Sequence, residues 1–335
     1  MSKKKGLEKA FSAKKDEFYT QLSDIEKELK YYQKYFHGKT VLCNCDDPRI
    51  SDFFHYFSYN FEKLKLKKLI TTCYKSQDTN YFSKNDSEQA IYLEYTGDKN
   101  DNRIPDPDEI GIFHLEQDGD FRSDECIEIL KQCDIVVTNP PFSLFREYVT
   151  QLMKYKKKFL IVGNQNAISY VEIFRLLHAN KIWLGASIHS GDREFGVPDN
   201  YPLNASGFRV DKNGRKFIRV KGVRWFTNID YKERHKDLIL FKKYDKAEYP
   251  KYDNYDAINI NKTKEIPMDY KGLMGVPITF FDKYNGEQFE IIDAIGRYSL
   301  LDGATKKTKG KYLTEINKKR VYARVIIKHK RKKRQ

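Results

Sequence analysis

The chain has 335 residues, of which 33% are Asp, Glu, Lys or Arg, and it carries a formal net charge of +15 with a pI near 9.3. This length is enough for one large hydrophobic core or two modest ones. No apolar run reaches membrane-spanning length and the start, Met1–Lys5, lacks the apolar segment of a signal peptide, so we expect a cytosolic protein rather than a membrane or secreted one.

The excess of lysine and arginine favours a polyanionic partner, because cationic side chains gain free energy by releasing counterions from phosphates. An adenine/thymine-rich genome would produce the same abundance of Lys, Asn, Tyr, Phe and Ile without selection for binding. The five cysteines are an odd number, without paired Cys-x-x-Cys spacing or a nearby histidine. We therefore expect reduced core thiols and no metal site.

Apolar residues near the N-terminus recur at spacings of three, four or seven. They are Leu7, Phe11, Phe18, Leu22, Ile25, Leu29, Tyr32 and Phe36. This period predicts a long amphipathic helix over residues 7–36 that packs against a sheet. A coiled-coil dimer is the alternative, but aromatic residues at the repeat positions make a poor zipper.

From Thr40 onward, strand and helix patterns alternate. The predicted strands are Thr40–Asn44, Lys68–Tyr74, Asp134–Asn139, Lys158–Gly163 and Ile182–Ile188, and the predicted helices are Ser51–Leu64, Ser123–Gln132, Ser143–Tyr155 and Ser169–Ala179. This alternation is typical of an α/β fold with a parallel sheet and helices on both faces. Polar loops at 76–118 interrupt it around one further predicted strand, Ala90–Tyr95.

The segment Asn139-Pro140-Pro141-Phe142 directly follows an Ile/Val strand, which places it at the carboxyl edge of the sheet, where open α/β sheets bind ligands. The Asn139 side-chain oxygen and the Pro140 carbonyl can accept the two hydrogens of an NH2 group, while Phe142 stacks on the attached ring. This combination favours methyl transfer to a flat, weakly nucleophilic amine. The alternative is a plain turn, since Asn-Pro often opens a loop.

Glycines and prolines cluster after residue 188. Short aromatic strands are predicted at Lys216–Val220, Val223–Asn228 and Leu238–Tyr244. From Glu248 onward, Tyr and Lys are frequent without a helical period, which predicts a smaller, irregular, partly β region. Three interpretations are open for the basic cluster Lys328–Arg334: a phosphate-binding arm, a patch similar to a nuclear-import signal, or a solvated terminus.

Several blocks together resemble one family. The segment Asn139–Phe142 is similar to the Asp/Asn/Ser-Pro-Pro-Tyr/Phe signature of amino-methyltransferases that use S-adenosylmethionine. The blocks that resemble the EcoRI-type adenine-specific DNA methyltransferases are, in order, Val41–Arg49, Leu69–Tyr74, Gly119–Ser123, Val136–Tyr148 and Gly222–Asn228. The resemblance implies a Rossmann-like class I methyltransferase sheet that is completed by an antiparallel hairpin of the last two predicted strands. It also implies that the catalytic residues are Asn139, Pro140, Pro141 and Phe142.

The resemblance also implies which residues hold the cofactor. These residues are Asn44, Asp46, Asp47, Pro48, Asp120 and Phe121. Asp120 would accept from the adenine amine of the cofactor, with Phe121 beside the ring. The glycine-rich loop usual in the wider superfamily is absent after the first strand, so the backbone must approach the cofactor in another way. An N-cap of the following helix is the alternative for each acid, and Ser123 is a second candidate for the cap after Asp120. No ribose ligand is assigned.

The partner implied by the resemblance is double-stranded DNA, from which the target adenine must be flipped into the pocket. Candidates for DNA contact are Arg193, Arg209, Arg215, Lys216, Arg219, Lys221, Arg224 and the basic tail. Arginine can bind guanine edges bidentately, while lysine mostly contacts phosphates. The resemblance suggests GAATTC as the target, and each candidate is alternatively a solvated surface charge.

The predicted function is therefore site-specific DNA N6-adenine methylation in a restriction-modification or phage-protective setting, by SN2 transfer from the sulfonium to the amine, without metal or covalent intermediate. The predicted domains are an N-terminal helix (1–36), a catalytic domain (37–245) and a target-recognition region with a basic tail (246–335). We expect a monomer, and a companion endonuclease is compatible with this prediction. The alternatives are an RNA or protein amino-methyltransferase and a DNA-binding protein with a decayed cofactor site.

Overall fold

A computed structural model describes residues 19–45, 51–72, 90–102, 105–106, 108–188, 191–197, 207–303 and 312–330. The helices are α1 Leu22–Leu29, α2 Asp52–Tyr59, α3 Phe61–Leu64, α4 Asp124–Gln132, α5 Phe145–Lys154 and α6 Val171–His178. The strands are β1 Tyr19–Thr20, β2 Thr40–Asn44, β3 Lys68–Thr72, β4 Ile91–Tyr95, β5 Ile110–His114, β6 Ile135–Thr138, β7 Lys158–Asn164, β8 Trp183–Leu184, β9 Asp192–Val197, β10 Arg209–Val210, β11 Lys216–Lys221, β12 Val223–Thr227, β13 Ile258–Asn259, β14 Met274–Val276, β15 Phe289–Ile295, β16 Glu315–Ile316, β17 Lys319–Arg320 and β18 Arg324–His329. The chain divides into two compact units. Unit 1 comprises Met1–Gln165 and Ser190–Ile229, and unit 2 comprises Asn166–His189 and Asp230–Gln335.

Unit 1 is built around a mixed sheet in which the strands follow the order β5-β4-β3-β2-β6-β7-β12. Strands β2, β3, β6 and β7 are parallel, whereas β4, β5 and β12 run antiparallel to their neighbours. Every residue of β2 and β6 is buried, which explains why both strands are nearly continuous apolar runs in the sequence. The predicted α/β alternation is confirmed, and so is the strand at 223–228. The predicted hairpin of this strand with 238–244 is wrong, because β12 pairs antiparallel with β7. Strand β5 was not predicted, because its residues are half-buried or exposed and give no apolar pattern.

Within the described part of the chain, the predicted helix over residues 7–36 is confirmed only for Leu22–Leu29 and is wrong at its start and its end. Tyr19 and Thr20 form β1, which pairs with Gly196 and Phe195 of β9. Gln21 is extended, with φ −71° and ψ 142°, so the helix that follows starts only at Leu22. Aromatic and β-branched residues favour a strand, and pairing with a distant strand overrides the helical period. Residues 7–18 lie outside the described residues.

A second, antiparallel sheet of unit 1 has the order β1-β9-β11-β10. In β11, Ile218 lies opposite Phe195 of β9, and both side chains are buried. The neighbouring positions Phe217 and Arg219 point to the other face, because side chains alternate along a strand. The face of Ile218 and Phe195 therefore also includes Lys216 and Arg193. The other face carries Asp192, Glu194, Arg209, Arg219 and Lys221 and is called the charged face.

Unit 2 contains a sheet of order β13-β14-β18-β15. Both faces of this sheet contain fully buried residues, with Ile258, Met274 and Val276 on one face and Ile326 on the other. Gly275 lies against Tyr252, whose hydroxyl would be 2.3 Å from an added Cβ, so this strand position accepts only glycine without rearrangement. The predicted partly β character of the C-terminal region is confirmed. The functional domain boundary at 245/246 stays a prediction.

Two predicted strands of unit 2 differ from the structure. The segment Leu238–Tyr244 is not a sheet strand, and its backbone is instead held by the side chain of Gln288 and by an isolated bridge between Lys242 and Pro267. The predicted strand Ile182–Ile188 shortens to β8. Both segments have an apolar pattern in the sequence. A strand also needs a hydrogen-bonded neighbour along its length, and the pattern does not show how far such pairing extends. None of the helices in the described ranges has the length and apolar character needed to cross a membrane.

Candidate functional site

The order of the strands indicates where this sheet would bind a ligand, at the carboxyl ends of β2 and β6. From β2 the chain proceeds to β3 on one side, while β6 leads to β7 on the other side, so β2 and β6 flank the point where the strand order reverses. Open α/β sheets bind ligands outside the carboxyl ends of such a strand pair. Asn44 ends β2 and Thr138 ends β6, and the Thr138 hydroxyl donates to the Asn44 carbonyl. This hydrogen bond joins the two strand ends from which the predicted site residues extend.

The segment Asn139–Phe142 continues from β6 at this edge. Asn139 is 6% exposed and Pro140 is also buried, while Pro141 and Phe142 are half-buried. The Pro141 carbonyl accepts from Leu144 N at 3.0 Å, which closes a turn ahead of α5. Within the described part of the chain, no backbone N–H is hydrogen-bonded to the Pro140 carbonyl oxygen. The segment therefore places an amide, a carbonyl and an aromatic ring directly after the carboxyl end of β6.

Helix α5 is anchored by a close contact with β7. An added Cβ at Gly163 would lie 2.4 Å from Cε2 of Phe145, the first residue of α5. Phe145 also packs on Phe226 of β12, with ring centroids 4.9 Å apart. Glycine at position 163 thus lets a phenylalanine ring lie directly on the sheet and fixes where α5 starts. Because α5 follows the Asn139–Phe142 segment, this contact also fixes the C-terminal end of that segment.

Asp120 is bound by a neighbouring arginine. The Arg122 Nε and Nη2 atoms donate to the two carboxylate oxygens of Asp120 at 2.9 and 2.6 Å, and Arg122 N donates at 2.8 Å. Hydrogen bonds from Arg122 lower the pKa of the Asp120 carboxyl and burial opposes them, so it is a carboxylate at neutral pH. Arg122 also reaches Glu147 of α5, with Nη1 3.2 Å from Oε2.

The helix-cap alternative for Asp120 is resolved by Ser123. The Ser123 Oγ atom accepts from Cys126 N at 3.2 Å and caps α4. The carboxylate of Asp120 instead holds Arg122, and it remains next to the buried ring of Phe121. Asp120 is therefore ionised, and the N-cap of α4 is formed by Ser123 without it.

Helix α5 connects the strand-end loops through side chains that the sequence prediction missed. The Tyr148 hydroxyl donates to Asn44 Oδ1, and its ring meets Phe121 edge-on with centroids 5.0 Å apart. Gln151 Nε2 donates to the Phe121 carbonyl at 2.7 Å. Burial raises the pKa of Tyr148 well above its ordinary value, so this phenol stays a donor. In the sequence, Tyr148 falls on the apolar stripe of α5, where its hydroxyl gives no signal.

The loop after β2 is only partly described. Asp46, Asp47 and Pro48 lie outside the described residues, and their predicted cofactor contacts stay predictions. Cys45, the last described residue before them, has φ +78°, a left-handed conformation usually taken by glycine. The chain therefore turns sharply at the end of β2 without the glycine-rich loop. Cys43, Cys126 and Cys133 are buried thiols outside any disulfide, as predicted, whereas Cys45 is half-buried and Cys73 is outside the described residues.

Most of the predicted DNA contacts lie on the sheet of β9, β10 and β11. Arg209, Arg215, Arg219 and Lys221 are exposed, and Arg193 and Lys216 are half-buried. Arg224 differs from the prediction. It is 3% exposed in β12, whose residues are all buried, and its Nη1 atom donates to the Val223 carbonyl at 2.7 Å. It is therefore unsuited to direct DNA contact in this conformation.

The charged face of this sheet also contains acids. Arg209 forms two hydrogen bonds with Glu194 and stacks over Phe217 at 4.4 Å from the ring centroid. Arg219 lies directly opposite Glu194, and Lys221 lies opposite Asp192. Opposed residues in an antiparallel pair share a face, so these acids offset part of the positive charge. The face is less basic than the arginine and lysine positions alone indicate.

Comparisons with known proteins match nearly the whole length of this chain to one family of methyltransferases. The family model described as adenine-specific methyltransferase EcoRI matches residues 6–330. The chain is 50% identical over 327 residues to the type II methyltransferase M.EcoRI of Escherichia coli, covering 97% of this chain and 96% of that protein. It is 42% identical over 332 residues to M.MgeORF184P of Mycoplasma genitalium (96% and 97% covered) and 37% identical over 334 residues to M.MpnI of Mycoplasma pneumoniae (96% and 97%). No solved structure matches the chain significantly.

Proposed function

The chain belongs to the EcoRI family of adenine-specific methyltransferases, and from this premise we propose that it methylates the exocyclic amine of adenine within a specific sequence of double-stranded DNA. The observation that carries the proposal is the position of Asn139–Phe142. This segment is largely buried and extends from β6 at the point where the strand order of the sheet reverses. An amide and a carbonyl are fixed there beside an aromatic ring.

In this proposal, Asn139 and Pro140 bind the target amine. Two fixed oxygen acceptors on its hydrogens orient the nitrogen lone pair and favour the charge that develops as the nitrogen is alkylated. Phe142 is half-buried, and its ring would stack on the purine. Pro140 and Pro141 restrict the backbone between the acceptor and the ring.

The chemistry of Asn44 at the end of β2, and of Asp120 and Phe121 ahead of α4, fits S-adenosylmethionine. An ionised carboxylate at Asp120 suits an amine donor, and the buried ring of Phe121 suits the side of a purine. Asn44, whose side chain is oriented by Tyr148, would contribute to the same site. When bound, the cofactor supplies a methyl group activated by the sulfonium.

The fold supports the same assignment. Parallel strands β3-β2-β6-β7 followed by an antiparallel β12 are the arrangement expected for a Rossmann-like class I methyltransferase sheet completed by an antiparallel strand. We further propose a restriction-modification setting, because the named relatives are type II methyltransferases.

The test is transfer of labelled methyl groups from S-adenosylmethionine to duplex DNA by the purified chain. One duplex contains GAATTC, and a library of duplexes covers other sequences. Label found on adenine N6 at one sequence supports the proposal, and label in RNA or protein alone contradicts it. Sequence-specific DNA binding without cofactor binding would favour the decayed DNA-binding protein. Methylation confined to another sequence would reject GAATTC while leaving the activity intact.

A further inference from the structure

Two large apolar side chains of unit 2 are unusually exposed. Ile239 is 84% exposed and Phe241 is 64% exposed. Along the segment 237–243, exposed and half-buried residues alternate, so Ile239 and Phe241 lie on the same outward side while Leu238 and Leu240 face inward. An isolated exposed apolar residue is ordinary, but two neighbours on one face of an extended segment indicate a surface that contacts something.

The segment is held in place on both sides of this pair. The Gln288 side chain accepts from Leu238 N at 2.7 Å and donates to Leu238 O at 2.8 Å. Beyond Phe241, Lys242 O accepts from Met268 N at 2.9 Å. The backbone is thus fixed before Ile239 and after Phe241. Little conformational entropy is lost when such a preorganised apolar pair binds a partner.

The charges around the pair favour one kind of partner. Residues 236–246 contain four lysines and two aspartates, and Lys243 is exposed on the same outward side as Phe241. The cores of protein–protein interfaces are poor in lysine. A nucleic acid offers phosphates to the lysines and apolar base faces to Ile239 and Phe241, and proteins that deform DNA insert such side chains between base steps.

We propose that Ile239 and Phe241 contact the bases of the DNA duplex, as an apolar wedge against a base step, while the neighbouring lysines contact phosphates. This inference rests on the proposed function, because it assigns the duplex as the partner. The residues are distinct from the catalytic segment and from the arginines of β9, β10 and β11. The wedge contributes affinity and helps to separate stacked bases.

The test compares the full-length chain with the double variant Ile239→Ser/Phe241→Ser on the duplex that the unchanged chain methylates. The dissociation constant is measured by fluorescence anisotropy over a range of salt concentrations. We expect binding to weaken by about tenfold or more, the size of one base-stacking interaction, with an unchanged slope of log K against log salt. Ile112→Ser, which removes a 60% exposed apolar side chain from β5, is the matched control and should leave the dissociation constant unchanged.

Unchanged DNA affinity in the double variant would overturn the inference, and so would a shallower salt slope, which would assign the effect to the lysines. If sedimentation shows that the unchanged chain dimerises and the variant does not, the pair is a contact between two copies. Should the double variant lose its fold, Phe241→Trp replaces it: added tryptophan emission that duplex DNA quenches supports the wedge, and emission insensitive to DNA contradicts it. If the unchanged chain binds and methylates no duplex, the proposed function itself fails.

Discussion

At the scale of single residues, Asn139 is the side chain on which the proposed chemistry depends most. It is 6% exposed at the end of β6, and its neighbour Thr138 is hydrogen-bonded to the end of β2. In Asn139→Ala we expect methyl transfer to fall by about 10²-fold or more, because one preorganised acceptor is removed. Cofactor affinity should stay within a few fold. Initial rates of label incorporation and calorimetric titration of the cofactor measure the two effects, and near-normal turnover would remove Asn139 from the mechanism.

Asp120 is expected to act on the cofactor and not on DNA. Asp120→Asn keeps the shape of the side chain and removes its charge, so the cofactor dissociation constant should rise about tenfold, as for the removal of one polar interaction. The structure makes a control necessary, because Asp120 also holds Arg122. Arg122→Ala removes that pair and leaves the carboxylate. If both variants weaken cofactor binding equally, the role of Asp120 is only to position Arg122.

Tyr148 is a positioning residue for the loop after β2. In Tyr148→Phe, the ring can still pack on Phe121, but Asn44 Oδ1 loses its buried donor. We expect a loss of about 1–3 kcal/mol in the free energy of unfolding. A raised KM for the cofactor with a smaller change in kcat should accompany it. Tyr155→Phe, at the C-cap of the same helix, is the control. A fall in thermal stability with normal KM would mean that the hydroxyl is structural only.

At the scale of elements, the contact between α5 and β7 determines where the catalytic segment ends. Gly163→Ala would place a Cβ 2.4 Å from the Phe145 ring. We expect a loss of about 1–3 kcal/mol in the free energy of unfolding, as for other overpacked cores. In a double-mutant cycle, adding Phe145→Leu to Gly163→Ala should restore part of the lost free energy of unfolding. Gly196→Ala, whose Cβ would meet Tyr19 at an ordinary 3.5 Å, is the matched control for denaturation. Equal stability of the two alanine variants would contradict the argument.

The elements that the sequence predicted are those whose pattern is local. Strands β2 and β6 are buried apolar runs, and α5 has a regular apolar stripe. The predicted N-terminal helix is wrong at Tyr19 and Thr20 because Tyr19 pairs with Gly196, a contact between distant parts of the chain. In the same way, the Asn139–Phe142 segment was visible as a motif, whereas the hydrogen bond between Tyr148 and Asn44 spans 104 positions and has no sequence pattern. Local rules do not specify such distant contacts.

At the scale of the whole molecule, the excess of basic over acidic residues favours DNA binding. The positions of the acids limit which basic residues can contact phosphates. The net charge is +15, but several arginines of the sheet of β9, β10 and β11 face acids on the same sheet. The first residues of the basic tail, Lys328 and His329, belong to β18 and already contact other residues of the protein. Lys328 Nζ lies 3.0 Å from Glu290 Oε2, and His329 Nε2 lies 2.8 Å from the Pro267 carbonyl oxygen. Lys330 N donates to the Gln288 carbonyl at 2.9 Å, and residues 331–335 lie outside the described residues.

The dependence of DNA affinity on salt tests how much of this charge contacts phosphates. Deleting residues 331–335 removes four lysines and arginines but spares β18, so the fold of unit 2 should survive. If the tail lies on phosphates, the slope of log K against log salt becomes shallower by about 0.9 for each phosphate that the shortened chain no longer neutralises. Sequence preference should remain, because base contacts are expected from the folded region. Binding titrations on the methylated duplex and on a scrambled duplex measure both quantities. An unchanged slope would make the tail a solvated terminus, and a lost preference would place recognition in the tail itself.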